Sequence, residues 1–218
     1  MPREVFIAGQ ILTAAELNTV SDQTVMSFAD SAARGSAIPT PVEGMTSYLD
    51  DLNRIEVYNG SAWGAIGTIL QVVSTAKTDT FSVTNTNFTD VTNYNVTITP
   101  SSTSSKVLVV VHANTGNSTN NNTTMVQLYR DATLIAAGDT AGSRARVFGG
   151  PRYFDTNVMD TVSMTFLDSP ATTSATTYKV AMASRGGATG YLNRSGLDTD
   201  SANLTRGVST ITLMEVAG

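Results

Sequence analysis

From Ile66 onward, apolar and polar residues alternate in short segments. Tyr94, Val96 and Ile98 interleave with Asn95, Thr97 and Thr99, and Val162/Met164/Phe166 and Tyr178/Val180/Met182 repeat the pattern. A period of two marks strands with one buried face. The pattern predicts strands over 69–75, 79–84, 87–99 with an interruption near Asn93, 106–114, 123–130, 133–138, 160–168, 176–185 and 208–216. One segment departs from alternation. Val107, Leu108, Val109, Val110, Val111 and His112 form an unbroken run of apolar or aromatic side chains. Such a run reads as a central strand covered on both faces. No helical segment is available as the second cover, so another copy of the same surface is the simplest one. Many short strands joined by polar turns predict an antiparallel β-sandwich of the jelly-roll kind, with full barrel closure as the alternative.

The first 65 residues have a different texture. Residues 1–12 read as an extended lead-in, and Thr13-Ala14-Ala15-Glu16 fits a capping box opening a helix to about Val20. Gln23–Phe28 reads as a strand, and Asp30 as the cap of a short helix over Ser31–Arg34. Ile38-Pro39-Thr40-Pro41 ends any helix. Met45–Leu49 and Ile55–Tyr58 then form a hairpin around Asp50–Asn53, and Asn59-Gly60 turns the chain toward Trp63. Trp63, the only tryptophan, reads as the anchor of a miniature core. The expected division is therefore 1–65, a small extended and short-helical segment with a β-hairpin, and 66–218, the sandwich.

Composition narrows the function classes. Charged residues make up 14% of the chain and the net charge is -5, without a Lys/Arg cluster, which argues against a nucleic-acid binder. There are no cysteines, hence no disulfide framework and no thiolate metal site. Neither a signal-peptide core nor an apolar run of membrane-spanning length occurs, so synthesis in the cytoplasm without membrane insertion is expected. The single histidine, His112, lies among apolar neighbours and supports no triad or metal site. Scattered aspartates follow turn chemistry rather than an acid/base spacing. Asp198-Thr199-Asp200 near Asn203 lacks the glycine and closing glutamate of a calcium loop. The expectation is a non-enzymatic protein with no catalytic residue, cofactor or metal.

Several stretches carry a resemblance. L-T-A-A-E-L-N at 12–18, Q-T-V-M-S-F-A-D-S-A-A-R at 23–34, A-I-P-T-P-V-E-G-M at 37–45 and E-V-Y-N-G-S-A-W at 56–63 resemble the N-terminal region of tailed-phage virion proteins. These are tail-fibre, neck-fibre and related minor structural proteins. T-I-T-P-S-S-T-S-S-K-V-L-V-V-V and the closing S-T-I-T-L-M-E-V-A-G resemble their β-rich distal domains more loosely. The resemblance implies a homotrimeric appendage on the tail, neck or head of a virion. It would be attached to other virion proteins through residues 1–65 and would bind a host-surface receptor, such as a glycan, through its jelly roll. A purely structural decoration or adaptor is the alternative.

The residues expected to carry these roles follow. Leu12, Leu17, Val25, Phe28 and Trp63 are candidate anchor contacts. Val107, Val109 and Val111, or the opposite set Leu108, Val110 and His112, would form the three-fold contact. Three polar segments, 114–124, 138–153 and 185–203, read as loops, and loops held by a rigid scaffold are where glycan sites lie. The longer two offer aromatic faces, amides and guanidinium groups. From them Arg144, Arg146, Arg152, Tyr153, Arg185, Tyr191, Asn193, Arg194 and Asp198 are the receptor-binding candidates.

Overall fold

The alternation seen in the sequence becomes a set of strands in two units, one ending at Thr68 and the other spanning Ile69–Gly218. The computed structural model describes residues 25–67 and 69–218, with Ile11 and Thr13 besides. Leu12, Leu17 and the expected capping-box helix lie outside the described residues.

In the first unit, β1 (Met26–Phe28), β2 (Thr46–Leu49), β3 (Arg54–Tyr58) and β4 (Trp63–Ala65) form one sheet in that order, with β1 parallel to β2. Helix α1 (Ser31–Ala37) follows β1, and the Asp30 carboxylate caps it by accepting from the Ala33 amide at 2.7 Å. The predicted helix thus runs three residues further than expected. Asn59 shapes the β3–β4 turn, its side-chain oxygen accepting from the amides of Ser61 and Ala62, while Gly60 takes a positive φ.

The centre of this unit is ionic. Arg34, on α1, is buried and donates to Glu56 at 2.5 Å and to the Ser47 hydroxyl at 3.1 Å. Its guanidinium lies 4.3 Å from the centre of the Trp63 ring, which also packs on Tyr58. Trp63 is therefore an anchor, but one that holds a cation rather than an aliphatic core. Arg54 donates to the other Glu56 oxygen. Burial pushes the Glu56 carboxyl up, and the hydrogen bonds from Arg34 and Arg54 outweigh it, holding its pKa below the ordinary 4.5.

The second unit is a jelly roll. Its strands are β5 (Ile69–Lys77), β6 (Phe81–Val83), β7 (Thr89–Ile98), β8 (Lys106–Asn117), β9 (Asn122–Arg130), β10 (Thr133–Ile135), β11 (Arg152–Tyr153), β12 (Asp160–Asp168), β13 (Thr176–Ser184), β14 (Gly190–Leu192) and β15 (Ser209–Val216). β6, β11 and β14 are short pieces inside connections. The remaining eight, counted in chain order, make one sheet in the order first, eighth, third, sixth (β5-β15-β8-β12). The other runs second, seventh, fourth, fifth (β7-β13-β9-β10). Among the described residues no ladder joins the two sheets, so the unit is a double Greek-key sandwich and not a closed barrel.

Between the sheets lie Val91, Tyr94, Val96 and Ile98 of β7, Val107, Val109, Val111 and Ala113 of β8, Val126 and Leu128 of β9, Tyr178, Val180 and Met182 of β13, and Ile211 and Leu213 of β15. The interruption near Asn93 is a real one. Asn93 has φ 58, and the β13–β7 register shifts between Lys179 and Ala181, so Val91 and Tyr94 both face inward. Two buried carboxylates close the rims. Asp168 accepts from Arg130 through both oxygens, at 2.8 and 2.7 Å, and from the Tyr178 hydroxyl at 2.6 Å. Glu215 accepts from the amide and hydroxyl of Ser101, each at 2.6 Å, and from Gln71 at 2.5 Å.

The expectation for 106–112 needs one correction. Val107, Val109 and Val111 are fully buried within this chain, so they belong to its own core and are not available to a neighbour. Leu108 and Val110 are half-buried and His112 is exposed, on the outer face.

Arg34→Ala is expected to destabilise the first unit by about 3–5 kcal/mol, because it leaves Glu56 buried without its partner. Trp63 fluorescence during denaturant unfolding reads this directly, as the chain has no other tryptophan. Because the folded pKa of Glu56 is depressed, its contribution is complete above about pH 4.5 and is lost as pH falls through the folded value. An acid titration of the same signal should therefore lose this unit below pH 4.5, and Glu56→Gln should flatten that dependence.

Candidate functional site

Successive strands of a jelly roll run in opposite directions, so their connections alternate between its two ends. At one end the connections 99–105, 131–132 and 169–175 are short. At the other, 118–121 is a tight turn, while 78–88, 136–159 and 185–208 are long and carry β6, β11 and β14. All nine receptor-binding candidates sit on the long connections of this second end. The loops interlock there: Ser118 donates to the Thr189 carbonyl, Asn121 to Tyr153, Ser184 to Asn85, and Leu197 to Thr156.

Several candidates turn out to hold these loops, and two of them, Tyr153 and Asn193, are buried. Tyr153 is buried, with its hydroxyl 2.7 Å from the Thr115 carbonyl and 2.6 Å from the Thr115 hydroxyl. Burial pushes its pKa far up, and it offers no stacking face. Asn193 is also fully buried. Its amide donates to the carbonyls of Lys77 (2.8 Å) and Asp79 (2.9 Å) and accepts from the Ser209 hydroxyl (2.6 Å). Arg194 lies 3.7 Å from the centre of the Tyr191 ring and donates to Ser195, Gly196 and Asp198, so it covers one face of that ring. Asp198 accepts from Arg194 at 2.8 Å and from Arg206 at 2.6 Å, and both its oxygens are thereby engaged by guanidinium groups. Beside them Asp198–Ser201 and Leu204–Arg206 line an open polar hollow of about 320 Å³.

The other four arginines behave differently. Arg144, Arg146, Arg152 and Arg185 are exposed, and none is in an ion pair among the described residues. Arg146 donates to the Gly138 carbonyl. Arg152 lies with its guanidinium 5.7 Å from the ring centre of Phe154, which is 71% exposed. Phe154 was missed by the sequence reading. The signal was present in R-Y-F at 152–154: with Tyr153 inward, its neighbours on both sides face out.

The segment 114–124 is also corrected. Gly116 and Asn117 are strand residues, and the loop is reduced to 118–121. Its polar groups satisfy one another inside, with Asn117 donating to Thr124 at 3.1 Å and to Ser184 at 3.3 Å. Of the anchor candidates that are described, Val25 is exposed, Phe28 is half-buried on β1, and Trp63 is half-buried against Arg34.

No family model matches the chain. No curated protein matches it either. Solved structures overlap it partially. A structure of infectious bursal disease virus, Gt strain, shares 12% identity at a TM-score of 0.41, over 75% of this chain and 44% of that one. The VP2 subviral particle of the same virus shares 11% at 0.38, over 73% and 41%, and its T=1 particle 11% at 0.36, over 82% and 44%. The chain spans less than half the length of each, and overlaps of this depth carry no functional argument.

Asn193→Ala is expected to cost about 2–4 kcal/mol in denaturant unfolding, since it orphans two carbonyls and puts alanine at φ 61. An unchanged midpoint would return Asn193 to the list of residues free to bind.

Proposed function

We propose that the protein is a structural component of a virion, a short trimeric appendage attached through its first unit and presenting the long-loop end of its jelly roll to a host surface. The observation that carries this is an apolar strip across the outer face of one sheet. The ladders put Leu167, Leu108, Met214 and Val72 in one row across β12, β8, β15 and β5. Val110 lies in the next row, and Ile69 and Val216 at the strip's edge. Val72, Ile69 and Leu167 are 57%, 52% and 47% exposed. A contiguous apolar strip on a solvent face marks an association surface. A closed ring of identical copies covers it without any other protein. The resemblance of residues 12–63 to tailed-phage virion proteins supports the virion setting and the trimer.

A second reading has its own observation. Tyr153, Asn193, Arg194 and Asp198 are engaged in pinning loops, which favours a decoration or adaptor with no receptor. In either reading no residue is assigned to catalysis.

Val110→Asp is expected to convert the assembly to monomer in light scattering, because it puts a charge into the strip. A wild-type chain that is monomeric at micromolar concentration would end the trimer proposal. The purified chain is expected to bind host cells and to compete with particles. Failure in both assays would favour the decoration reading.

A further inference from the structure

In a chain with few charges, the unpaired arginines are not scattered. Among the described residues Arg34, Arg54, Arg130, Arg194 and Arg206 are all in ion pairs. The four that are not belong to the connections 136–159 and 185–208. Two of them share a row of the sheet. Arg152 is the partner of Thr123 across β11 and β9. On the other edge of β9, Ser184 pairs with Thr124 and the Arg185 amide donates to the Thr123 carbonyl, so the ladder continues to Arg185. Residues opposite one another in a ladder project to the same side. Arg152, Thr123 and Arg185 therefore stand side by side, with the two arginine backbones about 10 Å apart across two strand spacings.

The side is the outer one. Val126 and Leu128 of β9 and Met182 of β13 belong to the core, and Thr123 and Arg185 lie on the opposite parity. Phe154, just past the end of β11, lies beside the row, its ring centre 5.7 Å from the Arg152 guanidinium and the residue 71% exposed. The turn that follows Arg185 has defined backbone geometry. Gly186 and Gly187, with φ 67 and 73, turn the chain directly after Arg185, and a Cβ at Gly186 would collide with the Asn122 side chain. The Ala188 amide closes that turn on the Arg185 carbonyl, and the Thr189 amide donates to the Ser118 hydroxyl.

We propose that Arg152, Thr123, Arg185 and Phe154 form a binding site for an acidic saccharide. Each guanidinium takes a carboxylate or phosphate oxygen pair through its two-pronged donor edge. The Thr123 hydroxyl serves a sugar hydroxyl between them, and the Phe154 ring receives the sugar's C–H face. This deepens the receptor-binding reading and rests on it for its biological role. It also moves the aromatic platform from Tyr191, half covered by Arg194, to Phe154. The protein's net charge of -5 works against indiscriminate attraction of polyanions, so binding of an acidic polymer would reflect this local site.

The test uses the full chain, with polygalacturonate as the carboxylate probe, a glycerol-phosphate polymer as the phosphate probe, and neutral dextran and polyglutamate as controls. Binding to one or both acidic saccharide polymers is expected, with none to dextran. Arg152→Ala/Arg185→Ala should weaken it by about tenfold or more, and Arg185→Lys should restore only part. Phe154→Ala should weaken saccharide binding while Tyr191→Ala does not. Preference between the first two polymers decides the anion. Equal affinity for polyglutamate, insensitive to Phe154→Ala, would overturn the saccharide assignment. No binding to either acidic polymer, or retention within about twofold in the double variant at unchanged melting temperature, would overturn the site itself. Host-cell adsorption separates the two levels: adsorption that persists in a polymer-blind double variant leaves the receptor reading standing and removes this site from it.

Discussion

The pleat of β8 sets most of what the second unit can be. One strand supplies Val107, Val109, Val111 and Ala113 to the core and pairs with β15 on one edge and β12 on the other. Because successive side chains alternate, its remaining residues, Leu108, Val110 and His112, must face out. A one-residue slip would exchange the two sets, turning the three valines outward and putting His112 into the core. The Tyr94 hydroxyl guards that register from the opposite sheet, donating to the His112 carbonyl at 2.9 Å with the Thr210 carbonyl at 3.2 Å. Leu108 and Val110, with Met214, Val72 and Leu167, then form the apolar strip as a direct geometric consequence of how the core is filled.

The same alternation explains how much was legible in the residues. Strands such as 94–98, 162–166 and 178–182 announce themselves because one face meets hydrocarbon and the other water. Asn93 was readable as an interruption since it sits between two inward residues that strict alternation cannot both bury. In the run 107–112 the residues did not tell which of the two alternating sets fills the chain's own core, because apolar side chains stand on both faces; that set is Val107, Val109 and Val111. Asp30 and Asn59-Gly60 were legible because their chemistry is local, a cap and a turn decided within a few residues.

What was not legible is where polar residues are satisfied by polar partners. Segment 114–124 has the composition of a loop, yet Asn117, Thr124 and Ser184 bury one another's hydrogen-bonding groups at the end of the sandwich. Segment 185–203 hides β14, whose pairing with Asn117, Gly116 and Thr115 on one side and with β6 on the other is non-local. A glycine at 116 is needed because the backbone of Arg194 and Ser195 passes too close for a Cβ. No window of sequence contains that fact. For the same reason Tyr153 and Asn193 looked like ligand groups: an aromatic hydroxyl and an amide in a long loop serve equally well as rivets, and only the identity of the facing carbonyls decides.

That ambiguity bears on how charge is used in this molecule. Among the described residues the buried charges are all engaged: Arg34 with Glu56 under Trp63, Asp168 with Arg130 beneath Tyr178, Lys77 with its near neighbour Asp79, and Glu215, outside any ion pair, with Ser101 and Gln71; at the loop end Arg194 and Arg206 share the carboxylate of Asp198. An arginine outside such a tie must be held by something else or stand free. Arg185 is followed by a turn that the Ala188 amide closes on the Arg185 carbonyl, and Arg152 has the Phe154 ring beside it. The β9 ladder sets both side chains in one outer row although neither is in an ion pair among the described residues, an arrangement that folding stability alone does not account for. It is accounted for if those side chains complete their hydrogen bonds with a partner from outside the chain.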